Sequence, residues 1–319
     1  VHHHNGLRMI DTALRAVPLA AFLPMRRAVA TLPRRHPLRL GSTLVLKRVA
    51  RAHRAVLSSR LREIRPLDEP GLSFEPSDSM VMDAVFWFGV RGYEGSVSRV
   101  WTELCREARS VLEIGANVGL FSVLGGRVCR GRYLAVEPVP GNVRVLRANL
   151  RRNAIAGVTV LEAAVIPDAE PRDVALNVPE EGREQPVGAH LTTDVEVSGR
   201  STRATLVVPG KPVRALAEGC DVIKIDAEGI EAALLGRLRD LLLATRPTLL
   251  IEVLPEAAGL GTLLARLAED AGYGIHVLPE YGSDRIVSVP AAAFTAATPR
   301  RHNAKDVLLS VSLPLALAG

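Results

Sequence analysis

Aromatic residues make up only 4% of this 319-residue chain, too few for the interleaved stacking platforms that hold single-stranded nucleic acid. Lysine is scarcer still, with only Lys47, Lys211, Lys224 and Lys305 among 40 lysines and arginines. So strong a preference for arginine, in a chain rich in alanine and leucine, matches the codon bias of a high-GC genome. Cys105, Cys129 and Cys220 are widely spaced and form no C-x-x-C, which excludes a zinc-ribbon pattern or a disulfide framework. Free thiols in a reducing compartment are expected, and with them a cytoplasmic location. No apolar run approaches the roughly 18 residues of a membrane helix. A signal peptide is not expected either, because the apolar stretch Val17 to Leu23 is short and broken by Pro18.

The pI of 9.6 suggests an anionic partner until the charge is located. Residues 6–66 carry 14 lysines and arginines against Asp11 and Glu63, a net of +12, which leaves −6 for the remainder. The basicity therefore belongs to an N-terminal arm. Apolar residues there recur at three and four spacing (Leu7, Ile10, Leu14; then Leu44, Val45, Val49, Ala52), interrupted by Pro18, Pro24, Pro33 and Pro37. That pattern predicts short helices joined by bends. A solvated helical face is the main reading of the charge, with peripheral membrane contact as the other. Residues 1–6, with His2, His3 and His4, look like a tag scar; the arm then runs over 7–79 and the principal domain over 80–319.

The stretch Ser110 to Phe121, SVLEIGANVGLF, is the centre of that domain. An apolar strand leads into Gly115-Ala116-Asn117-Val118-Gly119 and then into a helix. Glycines in such a turn bring main-chain N–H groups close to a ligand, and ligands bind at the carboxyl ends of parallel strands. A second apolar run, Tyr133 to Val136, ends in Glu137-Pro138, where an acid can accept hydrogen bonds from both hydroxyls of a ribose. An adenosine-containing cofactor is indicated. A dinucleotide site would place a second glycine where Asn117 stands. Glu113, just before the turn, would repel a pyrophosphate but suits the sulfonium and amino group of S-adenosylmethionine. The methyl donor is thus favoured over NAD.

The chain resembles the FkbM-type family of S-adenosylmethionine-dependent methyltransferases. The residues that carry the resemblance are Gly92-Tyr93-Glu94, Glu113 to Gly119, Glu137-Pro138 with Asn142 and Asn149, Ile223-Lys224-Ile225-Asp226-Ala227-Glu228-Gly229, and Leu250-Ile251-Glu252-Val253. The resemblance implies an α/β fold, the class I methyltransferase Rossmann-like sheet, mostly parallel and seven-stranded. It implies cofactor contacts from Tyr93, Glu94, Glu113, Gly115, Ala116, Asn117, Gly119, Glu137, Pro138, Asn142, Ala163, Ala164 and Asp226. Where the family has a Thr-Leu-Asp-like stretch before the fourth core strand, this chain reads Arg214-Ala215-Leu216-Ala217, without the acid.

Strands are predicted at about 110–114, 132–137, 158–163, 221–226 and 247–253, with helices between them and further strands near 273–277, 286–289 and 306–311. Alternation of strand and helix predicts a parallel sheet with right-handed crossovers. The regularity breaks over 166–217, where alternating segments between glycines and prolines predict a β-hairpin insertion over the pocket. Trp101 is read as packing, and Glu231 as a helix-dipole acid.

Four residues are candidates for the base that takes a proton from the acceptor: Asp226, Glu228, Glu252 and His190, the last within the insertion. Their ranking is left open. Asp226 with Glu228 or Glu252 could gather oxygens for a cation, but such acids are commoner as hydrogen-bonding groups, and no metal is expected. The expected function is O-methyl transfer to a hydroxyl of a small molecule, of natural-product or sugar type. The alternatives are a macromolecular methyltransferase using the basic arm and a non-catalytic cofactor-binding module. Nucleic acid is not the expected partner, and a homodimer is left open.

Overall fold

In the computed structural model the described residues are 17–32, 37–38, 41–43, 45–50, 61–179, 185–186, 188–191, 202–254, 258–279 and 286–317. The tag scar, most of the early arm, the alternating segment around 194–197 and the turn at 280–284 lie outside them. Two compact units are present, Val1–Gly95 and Ser96–Gly319, so the stretch Met80–Phe88 belongs to the first.

In the first unit, α1 (Leu23–Thr31) follows a 3-10 turn at Leu19–Phe22, and Pro24 sits in its first turn, where a missing N–H is harmless. α2 (Met80–Phe88) is capped by Ser79, whose Oγ accepts the Val81 N–H at 3.2 Å, and ends at Gly89. The Arg26 guanidinium lies 4.1 Å from the centre of the Phe86 ring and donates to the Phe86 carbonyl. Such a stacked arginine buries its stem while keeping its charge compensated.

The second unit is an α/β sandwich. α3 (Gly95–Glu107) leads into β1 (Ser110–Ile114), α4 (Leu120–Gly126), β2 (Arg132–Glu137), α5 (Pro140–Arg152) and β3 (Val158–Glu162). After the insertion come α6 (Val213–Ala217), β8 (Val222–Ile225), α7 (Glu231–Thr245), β9 (Thr248–Glu252), α8 (Ala258–Ala271), β10 (Gly274–Leu278), β11 (Val287–Val289), α9 (Thr298–Arg301) and β12 (Asp306–Ser310). The sheet order is β11-β10-β12-β9-β8-β1-β2-β3, parallel from β9 through β3, with β12 antiparallel to both neighbours. That is the class I methyltransferase order. The sheet has eight strands rather than seven, because β11 folds back on β10 as an antiparallel edge. β1 is buried along its whole length, and Leu234, Leu238 and Leu242 of α7 are fully buried in the same core. Trp101 is buried and donates to the Phe121 carbonyl at 3.0 Å, a packing role.

The insertion is a second, four-stranded sheet of order β4-β7-β5-β6. β4 (Ala164–Ile166) continues directly from β3, and β5 (Arg172–Pro179) pairs with β7 (Thr202–Pro212) as the expected antiparallel hairpin. β6 (His190–Leu191) adds to the edge of β5. Val174, Leu176 and Val208 on the alternating face close a small core of their own with Ile166.

Candidate active site

The chain crosses from one half of the sheet to the other between β1 and β8, which leaves a crevice beyond the carboxyl ends of β1, β2 and β8. A cavity partly open to solvent occupies it. Gly115, Glu137, Pro138, Ala163, Ala164, Asp226, Ala227 and Glu228 line the sheet side, while Leu176, Gly188, Ala189 and Leu191 of the insertion face them.

Gly115 has φ +79°, and a Cβ there would lie 1.9 Å from the carbonyl oxygen of Asp226. Only glycine allows β1 to turn this tightly against the end of β8. Asn117, at φ 49°, is of the type that tolerates the left-handed region, and its own Oδ1 accepts the Val118 N–H at 2.8 Å. Gly119 begins α4 at φ +85°, where any side chain would strike Leu146 of α5. Ala116 is buried beneath the turn.

Glu137 ends β2 fully enclosed, with Oε2 accepting the Asn117 N–H at 2.9 Å and Oε1 accepting from the Val139 N–H at 3.0 Å and Asn142 Nδ2 at 3.1 Å. Burial raises its pKa to about 7, against the three hydrogen bonds that favour the charged form. Asn117 Nδ2 and Asn142 Nδ2 both donate to the Pro186 carbonyl, at 3.2 and 3.1 Å. The amides that organise Glu137 therefore also fasten the insertion over it, a double role not apparent from the sequence. Replacing Asn142 with leucine removes a donor from each partner. The expected result is about a tenfold weaker affinity for S-adenosylhomocysteine by calorimetry, one charge-assisted hydrogen bond's worth. Unchanged affinity would show that the clamp is ornamental.

Glu113 differs from expectation. It is fully buried and is not among the cavity's lining residues; its Oε2 accepts from Ser122 Oγ at 2.6 Å and Tyr133 OH at 2.7 Å, while Oε1 has no hydrogen-bond partner. Burial raises its pKa to about 6. Its neighbour across the β1–β8 ladder is Lys224, so a buried carboxylate and a buried ammonium share one face of the sheet. Glu113 shares the face of Lys224 and Asp226 but lies two residues before Gly115, back from the end of β1, where Ser122 and Tyr133 enclose it.

Lys224, which the sequence reading quoted only as part of a motif, anchors the catalytic side. It is 1% exposed, lies 5.0 Å from the Phe121 ring centre, and donates to Asp226 Oδ2 at 2.7 Å. Period-two alternation puts Lys224 and Asp226 on the same face. Asp226 retains 24% side-chain exposure into the cavity. On the neighbouring β9, Glu252 is 5% exposed and accepts from Lys305 Nζ at 2.5 Å. Burial would raise the Asp226 pKa, but the charges of Lys224 and Lys305 and hydrogen bonds from Lys224 and Glu252 outweigh it, leaving it lowered. Burial first, then the Asp226 charge, pushes Glu252 up to about 9. Glu252 Oε2 meets no N–H or O–H donor among the described residues, so a hydrogen bond between the two carboxyls requires that one of them hold a proton.

Asp226, Glu228 and Glu252 each place an oxygen within 4.8 Å of the others, a spacing open to a hard cation. Lys224 and Lys305 already supply positive charge there, which favours proton chemistry for the cluster. Glu228 lines the cavity at φ 55°. Glu231 accepts the N–H groups of Ala227 and Gly229, at 2.9 Å and 3.0 Å, and shapes the loop from behind. His190 is buried with Nδ1 3.2 Å from the Gly188 carbonyl and is not among the lining residues, since β6 turns Leu191 to the cavity instead. Asn149 holds the Val118 carbonyl at 2.7 Å. Tyr93 and Glu94 belong to the first unit, so their part in the site stands as an expectation.

The model of the Methyltransferase FkbM domain matches residues 113–275, just over half the chain, and spans every residue that lines this cavity. The chain belongs to the FkbM methyltransferase family. Its methyl donor is S-adenosylmethionine. The residues fit that donor: a glycine turn at Gly115 on the cavity wall, an acid at the end of β2, and an apolar slot at Pro138, Ala163 and Ala164 for a flat base. No curated protein matches the chain. Among solved structures, the FkbM methyltransferase of Methylobacillus flagellatus is 13% identical, with 90% of this chain covering 58% of that one at a TM-score of 0.39. The precorrin-6y C5,15-methyltransferase of Geobacter metallireducens is 15% identical over 67% of this chain and 86% of that one, at 0.34. An SAH-bound methyltransferase of Podospora anserina is 13% identical over 78% and 94%, at 0.39. Among the described residues no helix is long and apolar enough to cross a membrane.

Proposed function

We propose that this FkbM-family enzyme transfers the methyl group to a hydroxyl oxygen of a small molecule. The observation that carries the reading is Asp226: a carboxylate that lines the cavity and is kept ionised by Lys224, which donates to it at 2.7 Å. An alcohol is a poor nucleophile until its proton has somewhere to go, whereas a neutral amine needs no base before attack. A carboxylate tuned to remain charged therefore favours oxygen as the acceptor.

The bound cofactor supplies a methyl carbon already activated by its sulfonium. The protein's share is placement. At the cavity wall Gly115 would meet the cofactor through its backbone, Glu137 would accept the ribose hydroxyls, and Pro138 with Ala163 and Ala164 would bracket the base. Leu176, Leu191 and Ile230 exclude water from the acceptor side. Asp226 takes the acceptor's proton as the oxygen–methyl bond forms, and holding donor and acceptor collinear does the rest. The insertion that faces the sheet across the cavity supports a small acceptor over a macromolecular one.

Incubating the protein with S-adenosylmethionine and parallel panels of small alcohols, sugars, amines and RNA tests this. S-adenosylhomocysteine is expected to accumulate above background with hydroxyl compounds alone. Turnover confined to amines or RNA would replace this reading, and cofactor binding without turnover across every panel would favour the non-catalytic module.

A further inference from the structure

The ionisable groups around Asp226 form a row that runs sideways through the sheet, two acids between two lysines. Lys224 on β8 holds Asp226, an oxygen of Asp226 lies within 4.8 Å of one of Glu252 on β9, and Glu252 accepts from Lys305, which immediately precedes β12. The path of the chain delivers Lys305 to that place. α9 ends in a reversal in which Asn303 takes φ 51° and the Ala304 N–H bonds the Pro299 carbonyl at 2.9 Å. The Lys305 carbonyl then accepts the Val253 N–H at 2.7 Å, and Asp306 stands opposite Glu252 in the antiparallel ladder. Lys305 is thus locked by backbone pairing to the strand that carries Glu252.

We propose that Lys305 is a positioning residue for the methyl-transfer base: bonded to Glu252, whose carboxyl shares a cluster of oxygens within 4.8 Å with Asp226, it holds a positive charge beside that cluster and keeps the Asp226 carboxylate ionised and open to the cavity. Around Asp226 the charges from each packed element are Glu113 on β1, Glu137 on β2, Lys224 on its own strand, Glu228 and Glu231 after β8, Glu252 on β9, and Lys305 with Asp306 at β12. Among these described residues, Lys224 and Lys305 face a larger number of acids. Removing Lys305 takes a positive charge from beside them, and a proton on Asp226 becomes easier to hold.

The test is a carbon-13 NMR titration of S-adenosylhomocysteine-bound protein labelled at the Asp and Glu carboxyl carbons. The Asp226 and Glu252 signals are assigned through D226N and E252Q. In Lys305→Met and Lys305→Gln the Asp226 midpoint is expected about one pH unit or more above wild type. In Lys305→Arg, which keeps the charge, it is expected to stay near the wild-type value. Should Lys305→Met fail to fold, Lys305→Gln carries the comparison. An Asp226 midpoint that does not move in the charge-removing variants would overturn the proposal. The catalytic consequence, an acid limb of kcat/KM displaced upward with Asp226, rests on the O-methyl-transfer reading. The titration needs no acceptor, so a methyl group found on nitrogen or carbon while the midpoint moves sinks that reading and leaves Lys305's role standing.

Discussion

Asp226→Asn is expected to slow methyl transfer by about two to four orders of magnitude, the usual contribution of a positioned general base. Affinity for S-adenosylhomocysteine should change by no more than about threefold. The separation follows from how Asp226 is used. Its backbone does the structural work, with the N–H bonded to the Ile114 carbonyl at 3.3 Å and its own carbonyl packed against Gly115. Asparagine preserves both contacts and most of the side-chain volume. What it lacks is the negative charge between Lys224 and Glu252 and the ability to accept a proton. Rapid-quench kinetics beside calorimetry distinguish the two effects. A loss of affinity equal to the loss of rate would mean that Asp226 holds the cofactor and that the base lies elsewhere, with Glu228 next in line.

Gly115→Ala should be severely destabilising. Its Cβ would sit 1.9 Å from the Asp226 carbonyl oxygen and 3.0 Å from the carbonyl carbon, both backbone atoms of the residue directly after β8, a strand paired on either side. Neither can give way without shifting β8 against β1. The left-handed conformation adds about 1–2 kcal/mol and the overlap a further 1–3 kcal/mol or so. Against a total stability of roughly 5–15 kcal/mol this lowers the melting midpoint on the order of 10 °C and removes the stabilisation by S-adenosylhomocysteine. Circular dichroism melts with and without the ligand report both. A variant that melts as wild type and still gains stability from the ligand would mean that the turn is not held against Asp226 in this way.

Much of this was legible in the sequence because the physics is local. The run Val111 to Ile114 before a glycine, the acid at Glu137 and the alternation over Asp173 to Val178 are each specified by neighbours a few residues away. Strand order then follows from the crossover rules. What failed was whatever depends on which face of a strand a residue takes, or on contacts between distant strands. Glu113 sits at the right place in the chain but points into the core, and His190 points away from the cavity that Leu191 lines. The Asn117 and Asn142 bonds to Pro186 join the turn and α5 to the insertion, across some 69 and 44 residues.

Lys224 and Lys305 were the larger omission, and a signal for them was present. In a chain that uses arginine almost everywhere, two of only four lysines lie in this cluster. A slim ammonium on a flexible stem fits between buried carboxyls where a planar guanidinium does not. Arginine bias thus makes each lysine informative. Lys224, two residues before Asp226 in an otherwise apolar strand, also breaks the pattern that a buried parallel strand should keep.

The most direct measurement is the fate of a carbon-13-labelled methyl group from S-adenosylmethionine, followed by NMR in the reaction with small hydroxyl acceptors. The methyl resonance reports the atom to which it is bonded. A methyl ether formed by wild type and lost in Asp226→Asn is the expected result. A labelled methyl found on nitrogen or carbon, or an ether formed equally fast by Asp226→Asn, would contradict the account.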